Sequence, residues 1–130
     1  MKINLDNALK LWRLRYGNES EIQDYTGKWI KRDHYEGSGI SSDYVWNIDH
    51  LIPKSRGGGD NQDNLVICHV ETNEEKADRT SWIGYDADGD WINLQINRKR
   101  IINQDTREVL YDPKWYKQKY RIQIRQTQQN

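Results

Sequence analysis

An α+β fold is predicted from three observations. Leu5, Leu9, Trp12 and Tyr16 recur at spacings of four, three and four, the period of one helix face. Two apolar runs, 45–50 and 65–68, flank a long polar loop and precede a Glu/Lys-rich segment, which reads as strand, loop, strand, helix. Further on, short apolar pairs separated by turn residues read as additional strands, followed by a short helix. The 130 residues suit one domain spanning 1–130.

Taken in order, Asp6 is placed to cap a first helix over about residues 7–16, with Gly17 ending it. Trp29 and Ile30, behind Gly27, form a short strand or turn packed on that helix. The Gly/Ser-rich stretch 36–42 is a loop. Val45 to His50 is a strand. Leu51 to Asn64 is a loop, marked by Pro53, Gly57-Gly58-Gly59 and clustered Asp and Asn. Leu65 to Cys68 is the second strand and Glu71 to Asp78 a short helix. Asp86 to Asp90 is a turn; its glycine at the fourth position and the lack of a Glu at the twelfth separate it from a calcium loop. Strands follow around Trp91, Leu94 and Ile96, then at Ile101-Ile102 and Val109-Leu110, the last two joined by a turn at Asn103-Gln104-Asp105. Asp112 caps, and Pro113 starts, a C-terminal helix to about residue 120, with Trp115 and Tyr116 packed inward.

Hydrophobic residues make up 35% of the chain and charged residues 31%, with six Trp, eight Tyr and no Phe. The core is therefore small and built on large aromatics. No apolar run approaches the ~20 residues of a membrane span, and Met1 to Lys10 lacks the apolar stretch of a secretory signal. A cytoplasmic location is expected. A single cysteine, Cys68, excludes an internal disulfide framework and a four-cysteine zinc site, and reads as a small buried hydrophobe.

The zero net charge conceals an asymmetry. Residues 1–40 carry seven basic and six acidic side chains, 41–90 four and eleven, and 91–130 nine and three, so the segments stand at +1, −7 and +6. An acidic centre beside a basic end suits a metal next to a polyanion. In the basic, aromatic-rich region 91–130, Arg98-Lys99-Arg100 and then Lys114, Lys117 and Arg121 alternate with Trp115, Tyr116 and Tyr120. This mixture suits phosphate contact with stacking, and Lys114, Lys117 and Arg121 fall on one helix stripe.

The motif core, 45–79, carries the chemistry. Asp49 and His50 are neighbours on a strand, so a regular pleat sends them to opposite faces. Sharing one site requires His50 to stand at a bend or strand end. Asn73, on the following helix, adds an amide oxygen, and Asp49 with Asn73 can share a hard cation. The imidazole of His50 can take a proton from water near neutral pH. Such a set suits hydrolysis of a phosphodiester.

The ordered string Asp49-His50, Pro53, Gly57-Gly58, Asn64-Leu65, Asn73 and Lys76, within 46–78, resembles the HNH endonuclease family and its ββα-metal (His-Me) finger. Leu11-Trp12, Arg15-Tyr16-Gly17 and Gly27-Lys28 more loosely resemble the start of small stand-alone bacterial and phage members. The resemblance implies a metal-dependent endonuclease acting on DNA and nicking one strand at a time. It implies His50 as general base, and Asp49 and Asn73 as holders of one Mg²⁺, with Mn²⁺ able to substitute. Asn64 would tie the loop after His50 to the second strand. Lys54, Arg56 or Lys76 would hold phosphate oxygens. His69, at the end of the second strand, is read first as a capping or packing residue, with a metal or substrate contact as the alternative. No structural zinc is expected, because the family's cysteine pairs are missing, and the third motif residue is Asn rather than His. The expected partner is DNA and not a membrane, in a bacterial or infected-host cytoplasm. Monomer and homodimer stay open. Two other readings also stay open: a non-catalytic DNA-binding or phage DNA-packaging accessory module, and a toxin nuclease with an immunity partner.

Overall fold

The computed structural model describes residues 3–116, a mixed α+β arrangement. The first helix, α1 (Leu5–Tyr16), starts two residues earlier than expected. Asn4, not Asp6, is its cap: the Asn4 Oδ1 accepts from the Asn7 amide at 2.9 Å. Gly17, at φ 61°, donates to the Arg13 carbonyl and closes the helix. The buried face is Ala8, Leu11, Trp12 and Arg15, whereas Leu5 is 43% exposed. The face is rotated from the predicted stripe because Arg15 turns inward. Its guanidinium donates to the carbonyls of Gln62 and Leu65 and to the Tyr111 hydroxyl, acceptors that no local pattern reveals.

A hairpin follows: β1 (Glu21–Gln23), which was not anticipated, pairs with β2 (Trp29–Lys31), the short strand expected at Trp29-Ile30, whose Ile30 packs on α1. Asp24 closes its turn. One carboxylate oxygen accepts from the Thr26 amide (2.9 Å), the Thr26 hydroxyl (2.7 Å) and the Lys28 amide (3.1 Å). The other accepts from the His69 amide (3.0 Å) and the Thr72 hydroxyl (2.7 Å). The same side chain thus fastens the hairpin to the middle of the molecule.

That middle is an antiparallel ribbon, β3 (Trp46–His50) with β4 (Leu65–His69), leading into α2 (Val70–Lys76). Ile48 pairs with Ile67 and Asp49 with Val66, so alternate pairs face opposite sides. Trp46, Ile48 and Ile67 pack toward α1 in a core with Ala8, Leu11, Trp12, Ile30 and Tyr35. The rings of Trp12 and Tyr35 lie 4.9 and 4.8 Å from that of Trp46. Val66 joins a second core with Leu51, Trp82, Leu94, Ile101 and Tyr111. A ribbon held on both faces cannot slip register without burying its polar side chains in apolar surroundings.

The second core rests on a four-stranded antiparallel meander: β5 (Ser81–Tyr85), β6 (Trp91–Asn97), β7 (Arg100–Asn103) and β8 (Val109–Tyr111). β5 was not anticipated. The turn at 86–90 is closed by Asp86, whose Oδ1 accepts from the amides of Asp88 and Asp90. The connection between β7 and β8 runs longer than the predicted turn, over 104–108. Asp112 caps residues 113–116, accepting from the Lys114 amide at 2.9 Å. The inward residue there is Tyr116, stacked near Tyr16 and Tyr111, while Trp115 is 44% exposed. The expectation of inward packing holds for Tyr116 and fails for Trp115. The remainder of that predicted helix, with Lys117 and Arg121, lies outside the described residues.

Burial holds the phenols of Tyr16, Tyr25, Tyr111 and Tyr116 above their ordinary value, and Tyr111 is pushed up to about 12. A folded value above the unfolded one means that their contribution is whole below about pH 10 and is lost as pH rises through the folded values. Alkaline unfolding should therefore begin above about pH 10, with phenolate absorbance and loss of near-ultraviolet ellipticity rising together. Phenolate formation by these buried tyrosines with ellipticity intact would contradict this account.

Candidate active site

A cavity of about 230 Å³ opens where β3 meets α2 and the segment 35–37. Its polar lining is Glu36, Asn47, Asp49, His50 and Asn73. Asp49, His50 and Asn73 are thus brought together, and His50 reaches the cavity because it is the last residue of β3.

Asp49 is held from beneath. Its Oδ2 meets the Lys76 ammonium at 2.9 Å, and that ammonium also donates to the His50 carbonyl at 3.0 Å. Burial nevertheless raises the Asp49 carboxyl above its usual range, outweighing the pull of Lys76. Lys76 itself is 0% exposed, below the Trp82 ring. This corrects the expectation that Lys76 holds a phosphate: its ammonium faces the protein interior and anchors Asp49 and the end of β3.

The His50 Nε2 lies 2.7 Å from the Asp60 Oδ1, and the Lys54 ammonium reaches the same oxygen at 3.2 Å. These two partners hold the Asp60 carboxyl below the usual carboxylate range. An ionised carboxylate only accepts, so in the neutral ring the proton is on Nε2 and the free lone pair on Nδ1. Asn64 secures the loop that brings Asp60 round. Its Oδ1 accepts from the Ile52 amide at 2.8 Å, and its Nδ2 donates to the carbonyls of Ile52 and Gly59 at 3.0 and 2.8 Å. The loop is tight enough that a Cβ on Gly58 would stand 1.7 Å from the Ile52 oxygen, so only glycine fits.

Asn73 belongs to a chain of amides. Its Nδ2 donates to the Asn47 Oδ1 at 2.8 Å, and the Asn47 Nδ2 donates to Glu36 at 2.8 Å. The nitrogen end of Asn73 is therefore committed to the protein, and Oδ1 is the atom left for a ligand. Sequence reasoning overlooked Glu36, Asn47 and Asp60 as participants. Asn47 had a legible signal: two residues before Asp49, it shares that side chain's face of the strand.

The other candidates do not line the cavity. His69 caps α2: its Nδ1 accepts from the Glu71 amide at 3.1 Å and its Nε2 donates to the Asp43 carbonyl at 2.8 Å. With both nitrogens engaged, the capping reading of His69 holds, and the alternative of a metal or substrate contact does not. Lys54 is exposed on Asp60, and the Arg56 Nε donates to the Asp78 carbonyl at 3.0 Å. Lys114 is exposed on a separate basic cleft.

Among the described residues no three His, Cys, Asp or Glu side chains gather as a metal cluster. What the cavity offers is the second oxygen of Asp49 and the Oδ1 of Asn73. One carboxylate and one amide, both oxygen donors, fit a hard cation of the Mg²⁺ or Mn²⁺ type that keeps several waters. The desolvated Asp49 carboxylate is a group that such a cation would stabilise.

A family profile described as HNH endonuclease matches residues 24–82, from the Asp24 turn to Trp82 in β5. Over 110 residues the chain is 28% identical to the CRISPR-associated endonuclease Cas9 of Campylobacter jejuni subsp. jejuni. The match takes in 84% of this chain and 10% of that protein, so the chain spans about a tenth of the relative's length. No solved structure matches the chain. Residues 24–82, which carry the ribbon, α2 and most of the cavity lining, are thus the part of the chain that is similar to the HNH endonuclease family.

Proposed function

We propose that this chain is a metal-dependent endonuclease that hydrolyses phosphodiester bonds in DNA, one strand at a time. In this reading β3, β4 and α2 are a ββα-metal finger, and residues 1–130 form one nuclease domain around it. The carrying observation is that one cavity holds Asp49, His50 and Asn73, with a carboxylate behind the histidine.

The His50 Nδ1 takes a proton from the attacking water, and Asp60 orients the ring and offsets the charge that it gains. A divalent ion held by Asp49 and Asn73 would supply positive charge against the phosphate and the leaving 3′ oxygen. The product would then carry a 5′ phosphate. Lys76 keeps Asp49 in place, Asn47 keeps Asn73 in place, and Asn64 keeps the Asp60 loop in place. One such cavity acts on one phosphodiester, hence nicking.

Relaxation of supercoiled plasmid tests this. Open circles should accumulate before linear product with Mg²⁺ or Mn²⁺, and a chelator should stop the reaction. Asn47→Ala removes only an outer partner of the candidate ligand Asn73. It should lower apparent metal affinity or rate roughly 10–100-fold, with excess Mn²⁺ restoring part of the loss. A protein that binds DNA yet cuts under no metal condition would favour the accessory-module reading.

A further inference from the structure

We propose that Arg98, Lys99, Arg100 and Lys114 form a phosphate-binding cleft that grips the nucleic-acid backbone away from the bond being cut. The identity of the ligand rests on the nuclease reading above. The cleft, of about 480 Å³, lies between the β6–β7 turn and the chain that follows β8. Four cations face two carboxylates there, Asp63 and Asp112, and the Asp112 Oδ1 already accepts from the Lys114 amide. The balance is positive.

The turn itself points to a purpose. Asn97 pairs with Arg100, which leaves Arg98 and Lys99 as a two-residue connection with φ of 53° and 63°. Positive φ at both central positions is the type I′ geometry, for which Asn-Gly is the least strained choice. Here two long cationic side chains, both exposed, occupy those left-handed positions instead. Backbone strain retained at a surface turn calls for a function, and the shared feature of these residues is that their charges line one concavity with Arg100 and Lys114.

The chemistry selects the backbone rather than the bases. Guanidinium forks and ammonium groups suit phosphate oxygens. No aromatic ring is among the lining residues, so a base has nothing to stack on. The contact would therefore add affinity without sequence preference. Asp63, on the rim, directly precedes Asn64, whose amide holds the Asp60 loop, so the cleft borders the loop that serves the active cavity.

The test replaces the turn by its unstrained form, Arg98→Asn with Lys99→Gly, in a His50→Ala background that binds without cutting. Binding of a labelled DNA duplex is followed by fluorescence anisotropy across a salt series, beside thermal unfolding. The thermal midpoint should hold or rise, because the turn is relieved. Affinity should fall about tenfold or more near 0.1 M salt, and the slope of log K against log salt should become shallower by about two. Lys114→Gln, at an exposed position outside the turn, should reduce that slope by about one. An unchanged slope in both variants overturns the cleft and leaves the cutting reaction untouched. Competition by polyglutamate as effective as by DNA overturns the phosphate assignment. Failure of the wild type to nick under any metal overturns the nuclease reading instead, a separate result from the slopes.

Discussion

Replacing His50 with alanine should slow plasmid nicking by roughly 10²–10⁴-fold, the range expected for loss of a general base, and leave the fold in place. The side-chain partner of the ring is Asp60, more than half exposed, and pairs of that kind contribute little to stability. Metal affinity should also hold, because the proposed ligands are Asp49 and Asn73. The variant therefore separates chemistry from binding: rate collapses, while DNA affinity and thermal midpoint stay near wild type. Asp60→Ala should cost less, since the base survives without its orienting carboxylate. Asp60 also sets an acid limit. Its folded value lies below the unfolded one, so the pairing with His50 is fully present above the ordinary carboxylate range and is lost as pH falls through the folded value. Equal nicking by wild type and His50→Ala would mean that the proton goes elsewhere.

That Asp49, His50 and Asn73 would meet in one cavity was legible because their geometry is local. Strand parity alone requires His50 to end its strand if it is to share a site with Asp49, and β3 does end there. The ribbon and helix are contiguous, so spacing along the chain translates into proximity. The partners that position these residues come from farther away. Asp24 bonds the His69 amide across 45 positions, and Lys76 packs beneath a tryptophan of β5, an element outside the recognisable string. Nothing in Glu74-Glu75-Lys76 marks the third residue as the buried one. Glu36 comes from a stretch whose Gly and Ser suggested only a connection. The α1 face was misjudged for a related reason. Arg15 is buried to satisfy carbonyls from another part of the chain, and a hydrophobic count cannot anticipate a buried guanidinium.

Asp24→Ala should be the most destabilising single change outside the apolar core, by about 3–5 kcal/mol. The residue is 6% exposed and accepts five hydrogen bonds, three of them from the backbone amides of Thr26, Lys28 and His69. Alanine leaves those donors buried and unpaired, and each carries a desolvation penalty of about 1–3 kcal/mol. Set against a total stability of about 5–15 kcal/mol for a domain, the loss is large enough to appear as partial unfolding at ambient temperature. Asp24→Asn keeps one accepting oxygen and should fall between. Asp33→Ala, with a side chain 80% exposed in its ion pair to Arg32, serves as the control and should stay within about 0.5 kcal/mol. Urea titration of the three variants gives the comparison. The loss should also reach the active cavity. Asp24 bonds the amide of the residue that caps α2, and α2 carries Asn73, so the folded fraction of Asp24→Asn should need more metal to reach half its maximal rate. An Asp24→Ala midpoint within about 0.5 kcal/mol of wild type would show that the hairpin is fastened by its apolar contacts through Ile30, and that the carboxylate network merely fills the space beside them.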